Sequence, residues 1–104
     1  MTNPWTGEAE VRIDGVSHIC KLTLGALAEL ETRLGEGSLI DLIRRFEGGA
    51  FSSRDVMAVV VAGLRGGGWR GTSDDLMTAE IEGGPIGAAQ VAATLLARAF
   101  ATPT

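Results

Sequence analysis

The chain has 104 residues, 45% of them hydrophobic and 21% charged, a length and balance that fit one globular domain and exclude a disordered or collagen-like chain. Its formal net charge of −4 repels a nucleic-acid backbone at long range, so no nucleic acid is expected as a partner. One cysteine, Cys20, and one histidine, His18, exclude an internal disulfide and leave too few soft ligands for a zinc site, and no metal or other cofactor is expected.

Residues 1–5 have neither the basic start nor the apolar stretch of a secretory signal, and the longest uncharged apolar run, 56–64, is about half of a membrane span. A soluble, cytoplasmic protein without membrane contact is expected.

Residues 8–23 alternate around Asp14-Gly15, the dipeptide favoured at the centre of a two-residue type I′ turn. Counting outward from that turn pairs Ile13 with Val16, Val11 with His18 and Ala9 with Cys20 on one face. Glu10, Arg12 and a Glu8–Lys21 pair fall on the other. The first face, His18 included, should look toward the core. A lone hairpin is marginal in water, so this face must pack on helices or on another chain.

Five helices follow. The first is predicted over 24–34, with Leu24, Leu27, Leu30 and Leu34 on one face and Gly35 as its terminator. Ser38 should cap a second, carrying Leu39, Ile40, Leu42, Ile43 and Phe46 and ending at Gly48-Gly49. Ser52 with Asp55 makes a capping box for the third, although Val59, Val60 and Val61 favour strand locally. Thr72 or Ser73 should cap a short fourth helix reaching Glu82, with Asp74 and Asp75 near its positive end. Pro85 suits the first position of the last, which should run to about Ala101.

The polar side chains between Ile86 and Phe100 are Gln90, Thr94 and Arg98, four apart, one narrow stripe on an otherwise apolar helix. Two readings follow: a central helix wrapped by the others, or an apolar surface including Val91, Leu95, Leu96 and Phe100 that docks a second subunit or a partner helix. Under the second, Leu95 and Leu96, about 100° apart, should not both be internal. The fold class is therefore α+β, mostly α. An N-terminal β-hairpin packs on a bundle of about five short helices (24–101), in a single domain 1–104.

No catalytic constellation emerges, and an enzyme is not expected. Gly66 to Gly71 satisfies G-x-G-x-x-G, but it follows a helix rather than a strand, and reads as a helix-ending loop instead of a phosphate cradle. His18 and Cys20 share a strand face without any third orienting group, and read as a core histidine and a buried thiol. Arg44, Arg45, Arg54, Arg65 and Arg70 outnumber Glu47 and Asp55 between 44 and 70, a mild basic zone that reads as solvated exterior or as a surface for an acidic partner. Trp5 and Trp69 stand outside the periodic segments, which makes them candidates for partner contact.

Asn3-Pro4 with Gly7-Glu8, then the hairpin leading into Leu22-Thr23-Leu24-Gly25-Ala26-Leu27-Ala28-Glu29-Leu30-Glu31, resembles the small tail proteins of gene transfer agents and related phages, grouped with tail assembly chaperones. Ser38-Leu39, Phe46, Ser52 with Asp55-Val56, Ala62-Gly63-Leu64-Arg65-Gly66-Gly67-Gly68 and Leu95-Leu96-Ala97-Arg98-Ala99-Phe100 fall in the same order. His18 stands where that group would have an aromatic. The resemblance implies a non-enzymatic role in building a phage-like tail, by binding the tape measure protein while tube subunits polymerise around it. Other tail proteins are implied as partners, and a homo-oligomer is open. The competing implication is a tube-associated structural component, since some members carry a tail tube label. A tube ring is ordinarily built on more strands than one hairpin supplies.

Overall fold

The computed structural model describes residues 7–34 and 39–100. The elements in chain order are β1 (Glu8–Ile13), β2 (Val16–Lys21), α1 (Leu24–Leu34), α2 (Leu39–Gly48), α3 (Ser53–Gly66), α4 (Ser73–Met77) and α5 (Gly84–Ala99). This is the expected mostly helical α+β fold. Trp5, Gly35, Ser38 and Ala101 lie outside the described residues.

β1 and β2 pair antiparallel in the register counted from the turn, from Ile13↔Val16 out to Glu8↔Lys21. Asp14 has φ 50° and Gly15 φ 81°, the two left-handed residues of a type I′ turn. Ala9, Val11, Ile13 and Cys20 are buried, whereas Val16 is exposed and His18 half-buried. Val16 thus departs from the expected core face. Ile81, bridged to Ile13, lies beside β1 at the turn, and Val16 on β2 gains no such neighbour.

α3 is the central helix, and α5 is not. Val59 through Leu64 are all buried, because α3 is covered by α1, α5 and β2 together. The β-branched run stays helical since each valine fills the core that these elements enclose. Ser52 begins α3 as predicted: its hydroxyl accepts from Asp55 N–H at 3.1 Å, and the Asp55 carboxylate accepts from Ser52 N–H at 2.9 Å.

Two glycines end α3 against the back of β2. A Cβ at Gly66 would come within 1.9 Å of the Lys21 carbonyl oxygen, and one at Gly67 equally close to that of Ile19. The helix terminus therefore seals the outer edge of β2, at a separation that only glycine permits.

Three helices differ from expectation. In α1 the buried face is Ala26 and Leu30, with Leu27 and Leu34 half-buried, and Leu24 is 85% exposed. The hydroxyl of Thr23 accepts from Ala26 N–H at 3.1 Å, so Leu24 is the first helical residue and sits on the solvent side of the entry turn. α4 ends at Met77 and does not reach Glu82. The following residues instead bond the edge of β1: Asp14 N–H donates to Glu80 O at 2.8 Å, and Glu82 N–H to Arg12 O at 3.0 Å. Unpaired strand groups there compete successfully with helix continuation. Ile40 in α2 is exposed while Leu42 is buried, so this helix buries a narrower stripe than its sequence offers.

Candidate functional site

Among the described residues, the expected partner residues do not all lie at the surface. Leu95 and Leu96 are 0% and 4% exposed, which corrects their assignment to a docking face. Leu95 packs so closely on α3 that a Cβ at Gly63 would fall 2.6 Å from its Cδ1. Because Gly63 has no side chain, the helices approach closely enough to enclose Leu95. Val91 is half-buried beside β1, and Phe100 is 44% exposed at the C-terminal cap of α5. Trp69 is half-buried against the core, its ring folded over Gly71. Trp5 lies outside the described residues.

An apolar groove that the periodicity did not reveal lies between α3, α4 and the start of α5. It encloses about 350 Å³ between Phe51, Val56 and Met57 on one side and Leu76, Ile81 and Ala88 on the other. Its geometry grows from local features. The Phe51 ring stacks on Phe46 of α2 with centroids 4.7 Å apart, which fixes the wall beside the Ser52 cap. Left-handed Gly83 and Gly84, with φ of 84° and 65°, then turn the chain so that Pro85 can start α5 at the opposite wall. Ile86, next after the lining residue Pro85, is 73% exposed. The hint in the sequence was an apolar residue on each side of α5's start, Ile81 and Ile86, set apart by Glu82, two glycines and Pro85.

Two arginines of the basic zone are engaged within the fold. Arg45 is taken up by Asp55, and Arg65 by Glu29 at 2.9 Å and by the Gly71 carbonyl at 3.1 Å. The basic zone of the sequence is therefore partly a set of ties between helices. Gly66 to Gly71 lies at the carbonyl end of α3, the negative end of the helix dipole, which repels phosphate. Burial pushes the Cys20 thiol up to about 12, which removes the thiolate a nucleophile needs. Among the described residues no group of His, Cys, Asp and Glu has the arrangement of a metal site, and no helix is long and apolar enough to cross a membrane.

The family described as phage tail tube protein, GTA-gp10, matches residues 6–102. The chain belongs to this family. No curated protein and no solved structure shows significant similarity to it. As a tail protein, it has a tail-related role and other tail proteins as partners, and the apolar groove is the strongest candidate surface for one of them.

Proposed function

We propose that this tail protein is a non-enzymatic assembly chaperone that binds the tape measure protein in the cytoplasm while the tail is built. The observation that supports this reading is the groove beside α3, α4 and α5, with exposed Ile86 next to its lining residue Pro85. An amphipathic helix docks by laying apolar side chains into such a channel, and no catalytic group is needed. The raised Cys20 thiol is in keeping with a role without chemistry.

Co-expression with the tape measure protein tests the proposal. The tape measure should stay soluble and co-purify with the wild type, and Ile86→Glu, at an exposed position, should lower its recovery without unfolding the tail protein. A tape measure equally soluble alone, and never co-purified, overturns the reading.

The second reading, a structural component of the tail, is favoured by the tail tube description of the family. It predicts that the protein remains in purified particles in a fixed ratio to other tail subunits. A chaperone would be absent from them.

A further inference from the structure

Among the described residues, the hairpin has one sealed edge and one open edge. Gly66 and Gly67 press on the carbonyls of Lys21 and Ile19 and close the β2 side. On β1, alternate residues turn their backbone groups outward. Arg12 O, one of these, accepts from Glu82 N–H. By the same alternation the N–H and C=O of Glu10 point outward, and neither has a backbone partner among the described residues. The segment pairing beside Arg12 stops there because Gly83 and Gly84, both with positive φ, carry the chain away from the edge. A strand line is begun at 80–82 and left unfinished opposite Glu10.

The space beside this unfinished line is walled by α5. A cleft of about 510 Å³ is lined by Glu10, Arg12, Glu82, Gln90, Thr94 and Arg98, among others. The α5 stripe that interrupts an otherwise apolar helix is thus the wall of the cleft. Arg98 reaches across its end to donate to the Glu8 carbonyl, while the Gln90 and Thr94 side chains make no hydrogen bond to a described residue. Positions four apart on a helix rise about 6 Å, and alternate positions on a strand about 6.7 Å. Successive inward side chains of an added strand would therefore meet Gln90 and Thr94 in step. On the outward face, Arg12 is paired with Glu82 at 3.5 Å, whereas the Glu10 carboxylate accepts from the Ser17 hydroxyl at 2.6 Å and has no cation among the described residues.

We propose that the open edge of β1 at Glu10 accepts an extended segment of a partner protein as an added strand, continuing the line that residues 80–82 begin beside Arg12, with hydroxyl side chains facing Gln90 and Thr94 and basic side chains facing Glu10. Main-chain hydrogen bonds hold such a segment, and the two side-chain rows select it. A second copy fits less well: in an antiparallel β1–β1 pair centred on Glu10, Glu8 of each copy would face Arg12 of the other, whose carbonyl the 80–82 segment already occupies. The inference stands whether the protein is a chaperone or a tail component, because it concerns a different face from the apolar groove.

The probe is an acetylated and amidated pentapeptide of alternating threonine and lysine, titrated into the full chain and followed by amide NMR. Shifts and slowed hydrogen exchange are expected at the Glu10 amide. Glu10→Lys should weaken binding by about threefold, the size of one cross-strand charge pair. A peptide N-methylated along its pairing edge should lose binding. Absence of a shift at Glu10 with excess peptide, or equal binding by the methylated peptide, overturns strand addition. Protection of Glu10 that grows with protein concentration alone assigns the edge to a second copy and overturns the partner segment.

Discussion

Arg45 of α2 grips Asp55 in the first turn of α3 through two contacts, Nε to Oδ2 and Nη2 to Oδ1, each 2.9 Å. The same carboxylate accepts from the Ser52 backbone N–H, so one buried side chain caps α3 and holds α2 to it. Arg45 holds the Asp55 carboxyl below the usual carboxylate range, helped by Ser52 and opposed by burial. The guanidinium is correspondingly raised by that carboxylate.

Removal of this carboxylate should therefore cost more than a surface charge. Asp55→Ala is expected to destabilise by about 2–3 kcal/mol, from a lost cap together with a lost charge-assisted pair. A folded pKa below the unfolded value gives stability that is complete above the unfolded pKa near ~4 and is lost as pH falls through the folded value. The gap in unfolding free energy between wild type and Asp55→Asn should be widest near neutrality and narrow in acid. Urea titrations at neutral and acidic pH measure it, and a gap that widens in acid contradicts the pairing.

Gly66→Ala and Gly67→Ala should each destabilise by about 2–4 kcal/mol, since the new methyl meets strand backbone that cannot rotate aside. Gly48→Ala is the control, for its Cβ meets nothing within 4 Å. It should fall within about 0.5 kcal/mol of wild type. Thermal melts of the three variants decide whether α3 abuts β2 as described.

Gly15→Val places a β-branched residue at φ 81°. A loss of about 1–2 kcal/mol is expected from the left-handed penalty. An unchanged melting midpoint would mean that the loop has another geometry.

The buried thiol should be silent toward alkylation. With Cys20 fully buried and its thiol pushed up to about 12, iodoacetamide at mildly alkaline pH should label the unfolded chain rapidly and the native chain only as fast as it opens. Mass spectrometry with and without denaturant reads the contrast. Equal rates would place the thiol at the surface.

Leu95→Glu should unfold the protein, because a carboxylate would enter a site with no polar partner. Phe100→Glu, at a 44% exposed cap position, should change stability by less than about 1 kcal/mol. Circular dichroism of the pair separates core from surface on α5.

Local chemistry determined much of this molecule without reference to any long-range contact. Asp14-Gly15 set the hairpin turn and its register, Ser52 with Asp55 set the start of α3, and Pro85 the start of α5, because each acts within a few residues of chain. Only tertiary packing decided which helix is central. The valines of α3 and the leucines of α5 are equally apolar, and whether such a face is core or surface depends on what lies opposite. The end of α4 was likewise illegible, since residues 80–82 leave helix geometry to satisfy backbone groups of β1, distant in sequence. Gly66 and Gly67 read locally as a helix terminator, and their close approach to β2 depends on where the hairpin docks. Both candidate surfaces, the apolar groove and the open β1 edge, exist only between elements far apart in the chain, so no periodicity within one element could disclose them.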